Sequence, residues 1–268
     1  MTAPPLAGKR ILVTRTARQA GNLQQALEAQ GAVVVPLPTI AIEPPASYAP
    51  LDAALASAES YHWLILTSAN GARAMAERMR ALKLAPDRLA HLRIACVGEA
   101  TAKAAAEAGL AVALIPKQYV AEGLVEALSR LEIPIAGQRV LLVRAAVARD
   151  LVPDQLRRMG ADVQIVEAYR TVVPNQSIES VRILLAPGAV TPGAVTPDAA
   201  TFTSSSTVTN FLDLLRAAAT NRPNGLRAVS IGPITSGTLR EHGWEPAAEA
   251  ARASIDGLVE ACVRSLGA

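Results

Sequence analysis

Two hydrophobic patterns alternate along the chain. Short continuous runs, such as "ILV" at 11–13, "WLIL" at 63–66 and "VLLV" at 140–143, leave no polar face and predict strands covered on both sides, as in a parallel sheet. Between them, stretches such as "GNLQQALEAQG" and "LVPDQLRRMG" bring apolar residues round at helical spacing and stop at a glycine, Gly31 or Gly160.

The alternation is written twice. "GKRILVTR" from Gly8 and "GQRVLLVR" from Gly137 open matching strand, helix, strand units, and each first strand ends in an arginine, Arg15 or Arg144. "WLILTSANGARAMAERM" from Trp63 matches "ATFTSSSTVTNFLDLL" from Ala200, a strand, a hydroxyl-rich turn and a helix, the second of these helices beginning near Val208. "LRIACVGEATAKAAAEAG" from Leu92 matches "LRAVSIGPITSGTLREHG" from Leu226, a strand reaching Gly98 or Gly232 and a helix with Thr101 or Thr235 in its first turn. Gly98 and Gly123 recur at Gly232 and Gly257 with the same separation. One insertion interrupts the match: "GAVTPGAVTP", 188–197, whose Pro and Gly content predicts a surface loop with no chemical role.

Alternating strands and helices imply parallel sheets with helices on both faces, so the fold class is α/β. Right-handed crossovers then gather the strand-to-helix loops at one sheet edge, where open α/β sheets bind ligands. Arg15, Thr67 to Asn70, Gly98, Glu99, Arg144, Thr203 to Thr207, Gly232 and Pro233 belong to that edge, and two such edges facing each other would enclose a cleft.

Composition narrows the chemistry. Of 268 residues 51% are hydrophobic and only 3% aromatic, an aliphatic content suited to helix-covered sheets, with few rings to stack bases. A net charge of +3 is too small for a nucleic-acid surface, so no nucleic-acid partner is expected. Cys96 and Cys262 are isolated and read as buried inert thiols, and His62, His91 and His242 have no ligand spacing, so no metal is expected. "MTAPPLAGKR" has no apolar signal core and no run is long enough to cross a bilayer, which predicts a cytoplasmic protein with no membrane partner. No apolar stripe suggests an oligomer, and a monomer is expected.

Nucleotide fingerprints are absent, and no serine sits in a nucleophile elbow. The hydroxyl-rich turns have two readings. Ser204, Ser205 or Ser206 can simply cap the following helix. The same hydroxyls and free N–H groups at a helix start also hold a carboxylate or phosphate, and four such starts suit a ligand with many carboxylates. Arg15 and Arg144 serve equally as structural partners of a carboxylate or carbonyl and as ligand contacts, and Tyr169 reads first as a half-buried strand residue. Asn70 and Glu99 are explained as a turn residue and a solvated first-turn acid.

The ordered pieces "ILVTR", "LTSANG", "VGEATA", "VAEGLVEAL", "LLVR", "EAYRT", "TFTSSSTV", "IGPITSGTL" and "SIDGLVEA" resemble the uroporphyrinogen-III synthase family along nearly the whole chain, with Ser236 standing where alanine is common. The resemblance implies two flavodoxin-like parallel-sheet domains joined by a two-stranded β connector, with the active site in the interdomain cleft. Periodicity alone would cut the chain near Gly137; the resemblance instead implies residues 1–38 and 173–268 in one domain, 43–168 in the other, and 39–42 and 169–172 as connector strands. It further implies a cofactor-free hydro-lyase acting on a polycarboxylate tetrapyrrole: hydroxymethylbilane loses water and closes to uroporphyrinogen III, ring D being inverted through a spiro intermediate. Tyr169 is the implied proton donor, since a phenol keeps its proton at neutral pH. Arg15, Ser68, Thr101, Arg144, Ser204, Ser205, Thr235 and Ser236 are the implied substrate-binding residues. The alternative is a non-catalytic two-lobed binding or sensor protein for a polycarboxylate metabolite.

Overall fold

A computed structural model describes residues 3–185 and 196–267. In chain order the elements are β1 (Arg10–Val13), α1 (Ala17–Ala29), β2 (Val33–Pro36), β3 (Ala41–Glu43), α2 (Ala49–Ala56), β4 (Trp63–Leu66), α3 (Ala69–Ala81), β5 (Arg93–Cys96), α4 (Glu99–Glu107), β6 (Val112–Leu114) and α5 (Ala121–Ser129). There follow β7 (Arg139–Ala145), α6 (Leu151–Arg158), β8 (Asp162–Val172), α7 (Asn175–Leu185), β9 (Ala199–Phe202), α8 (Ser205–Ala217), β10 (Arg227–Ser230), α9 (Pro233–Glu241), β11 (Pro246–Glu249) and α10 (Ile255–Leu266). The "GAVTPGAVTP" loop lies outside the described residues except for its last two positions.

The chain divides into two compact units, Met1–Ala41 with Val172–Ala268, and Ile42–Thr171. The repeat boundary at Gly137 therefore falls inside the second unit and is not a domain boundary. In the first unit the strand order is β11-β10-β9-β1-β2, every neighbouring pair parallel. In the second it is β3-β8-β7-β4-β5-β6, parallel from β8 to β6. Read from the middle outward, β1 and β7 hold the same place, as do β2 and β8, β9 and β4, β10 and β5, β11 and β6. These are the pairs the duplicated sequence matches, and the order is that of doubly wound, flavodoxin-like sheets.

The continuous apolar runs become strands with no exposed face: all four residues of β4 and of β9 are buried. Each sheet has a core on either side. In the first unit, Ile11, Val13 and Val229 face Leu23, Leu27, Leu258 and Cys262, while Leu12, Ala200 and Phe202 face Val208, Phe211, Leu239 and Trp244. In the second, Leu64, Leu66 and Leu141 face Leu55, Met75 and Ala105, while Trp63, Ile65 and Leu142 face Leu124, Leu128 and Leu156. Gly31 and Gly160 end α1 and α6 at φ +88° and +86°, a left-handed conformation that glycine adopts without steric cost.

Candidate functional site

The opening of α8 shows how the hydroxyl run folds. The helix begins at Ser205, three residues before the apolar period starts at Val208, because Ser204 closes a reciprocal cap. Its Oγ accepts the Thr207 amide at 3.2 Å, and Thr207 Oγ1 accepts the Ser204 amide at 3.1 Å. Ser204 Oγ also lies 2.9 Å from Ser206 Oγ. Thr238 Oγ1 donates to Ser205 Oγ at 2.7 Å, tying α8 to α9. Thr235, in the first turn of α9, is only 4% exposed. Ser236 is 0% exposed and its hydroxyl lies 2.6 Å from that of Ser230, a contact that holds α9 to the end of β10.

Arg15 follows β1 at the same edge. Its Nε is buried without a hydrogen-bond partner, burial holds the guanidinium below its ordinary pKa, and among the described residues no carboxylate pairs with it. An arginine remains charged under such a shift.

In the second unit the equivalent turn is built differently. Ser68 caps α3, its Oγ accepting the Gly71 amide at 3.0 Å, and the same Oγ lies 3.0 Å from the phenol oxygen of Tyr169. Tyr169 gets there through a bulge. The β7–β8 register runs Arg144 to Glu167 and then Ala145 to Tyr169, skipping Ala168. Regular alternation would put Tyr169 on the face of Val163, Ile165 and Glu167; instead it joins Val166 and Ala168 in the core on the other face, at 7% exposure. Bulges commonly re-aim a side chain in this way.

Ser68, Arg144, Arg149 and Tyr169 line one cavity of about 220 Å³, with Thr67, Ala145 and Val147 among its other walls. Arg144 is paired with Asp150 at 2.8 Å and has a buried, unpartnered Nε, the same orphan donor as its duplicate Arg15. Arg149 reaches Glu122 at 3.2 Å from an exposed position. Thr101 does not line this cavity; it is 4% exposed in the first turn of α4. Glu99 is occupied by Tyr119, which donates to it at 2.5 Å, and the carboxylate raises the pKa of that phenol. Neither Arg149 nor Gly71 is marked in the sequence as a neighbour of Tyr169. Arg149 has no counterpart in the duplication, and Gly71 reads as an ordinary turn glycine until the phenol beside it is seen.

Fold and edges together define a duplicated, doubly wound α/β protein whose sheet edges carry capped helix starts and guanidinium groups, with a buried phenol in the second unit. Comparison with known proteins specifies the class. The family model described as uroporphyrinogen-III synthase HemD matches residues 21–260. A uroporphyrinogen-III synthase of Synechococcus elongatus is 36% identical over 97% of this chain and 96% of its own, and a putative one of Methanothermobacter thermautotrophicus is 31% identical over 95% and 98%. Among solved structures, a mutant uroporphyrinogen III synthase of Thermus thermophilus superposes with TM-score 0.64 at 20% identity, covering 97% of this chain and 99% of that one. The Helicobacter pylori uroporphyrinogen-III synthetase gives 0.57 at 18% identity, over 96% and 99%. These two similarities carry the fold. The chain belongs to the uroporphyrinogen-III synthase family.

Proposed function

We propose that this chain cyclises hydroxymethylbilane to uroporphyrinogen III with loss of water, Tyr169 supplying the proton to the departing hydroxyl. The observation that carries the assignment to Tyr169 is a phenol at 7% exposure lining the same cavity as Arg144 and Arg149. A carboxylate held by guanidinium groups would bring the neighbouring part of a polyanionic substrate to the phenol. The backbone amides at the start of α3, the helix starts at Thr101, Ser204, Ser205 and Thr235, and Arg15 are read as further carboxylate grips. Protonation makes the hydroxyl a better leaving group, and general acids of this kind contribute from about 10²-fold. The larger task is geometric, holding ring D so that closure passes through the spiro intermediate rather than directly. The same reading takes the enzyme to act as a cytoplasmic monomer, with no nucleic-acid or membrane partner. Its size in solution tests the monomeric part of that.

The deciding experiment supplies hydroxymethylbilane and separates the oxidised porphyrin isomers. Isomer III is expected, and isomer I alone would overturn the assignment. Tyr169→Phe is expected to lower kcat about 10²-fold; an unchanged rate and isomer ratio would remove Tyr169 from the chemistry.

A further inference from the structure

The two copies of the hydroxyl-rich turn have diverged in a way that points at one hydrogen bond. By the duplication Ser68 matches Ser204 and Gly71 matches Thr207. In the first unit Thr207 completes the cap, and the Ser204 hydroxyl is engaged within its own turn by Thr207 and Ser206. In the second unit the threonine has become glycine. A Cβ on Gly71 would stand a tight 3.2 Å from Ser68 Oγ and in ordinary contact, 3.7 Å, with Tyr169 Cε1, so the missing side chain keeps crowding off the hydroxyl that the phenol meets. Ser68 Oγ still receives the Gly71 amide at 3.0 Å, but its remaining partner is the Tyr169 hydroxyl at 3.0 Å, which the strand bulge has brought inward. The capping hydroxyl here also contacts the phenol.

We propose that Ser68 is a positioning residue: it donates its hydroxyl hydrogen to the Tyr169 oxygen, so that the phenol's own hydrogen faces the cavity. This rests on the reading of Tyr169 as proton donor. The amide on Ser68 Oγ favours that direction, because a hydroxyl that accepts a hydrogen bond donates more strongly to the next group. The opposite arrangement would turn the phenol hydrogen towards Ser68 and away from the substrate. In the dehydration the C–O bond breaks with its electron pair on oxygen, the Tyr169 proton completes the water molecule, and the pyrrole nitrogen lone pair supplies the electrons the carbon has lost. The phenolate recovers a proton from the ring D carbon that gives one up when the macrocycle closes.

The test is a cycle of Ser68→Ala, Tyr169→Phe and the double variant, with Ser68→Thr as the conservative replacement, each checked for a native circular dichroism spectrum and assayed well below its melting temperature. Ser68→Ala is expected to lower kcat about tenfold, the worth of one hydrogen bond, with KM unchanged. Ser68→Thr should restore most of the loss, and Ser68→Ala should cost nothing further once Tyr169 is Phe. A Ser68→Ala effect that appears in KM, or that is undiminished in the Tyr169→Phe background, overturns the positioning role while leaving the acid role intact. A wild-type rate for Tyr169→Phe alone overturns the acid role itself.

Discussion

Burial pushes the Cys96 thiol up to about 11 and the Cys262 thiol up to about 12, from an ordinary value of 9.0. Both are free and sit in apolar surroundings where a thiolate has no counter-charge. Because the folded protein binds these protons more tightly than the unfolded chain, their contribution to stability is complete below about pH 9 and is lost as pH rises through 11 and 12. Urea unfolding across that range should show stability falling more steeply in the wild type than in a Cys96→Ala/Cys262→Ala variant. Parallel curves would contradict this, as would rapid labelling of either thiol in the native protein. Their inertness was readable from isolated spacing among apolar residues. The contact of Tyr169 with Ser68 was not: strict alternation along "VEAYRT" puts the phenol on the face of Glu167, and only the partner strand shows that one residue is skipped.

Among elements, helical glycines respond in opposite senses to the same substitution. Gly257 lies in the first turn of α10, where an added Cβ would stand 2.3 Å from the Arg252 carbonyl oxygen; Gly123 in α5 meets the Gln118 carbonyl at the same 2.3 Å. Alanine is the better helix former by about 1 kcal/mol, but forcing backbone apart costs about 1–3 kcal/mol, so the clash wins. Gly237, within α9, has nothing within 4 Å of that position. Gly257→Ala should therefore lower the melting temperature and Gly237→Ala should raise it, the latter by the equivalent of about 0.4–1 kcal/mol. Thermal melts giving the same sign for both would show that the close approach at Gly257 relaxes without cost. The recurrence of Gly123 at Gly257 was legible in the sequence; its cause, a carbonyl folded back over the helix, was not.

For the molecule as a whole, each unit has its own pair of cores, so damage in one sheet should stay there. Both phenylalanines of the chain lie in the first unit: Phe202 packs edge-on to Phe211 at 5.6 Å and to Trp244 at 5.3 Å. Phe202→Ala should cost about 3–5 kcal/mol. Amide exchange followed by mass spectrometry should quicken in β1, β9 and β10 and stay slow in β4, β5 and β7; equal loss in both sheets would contradict the separation. By itself the sequence determined the α/β class, the duplication, the glycine stops and the existence of capped helix starts, because each depends on residues within a turn or two of one another. Tertiary structure alone decided that β1 pairs with β9 across the length of the chain, that Ser236 belongs to the interior, and that Ser68 meets Tyr169. Strand partners and bulges are properties of two segments at once, and no local period in either segment contains them.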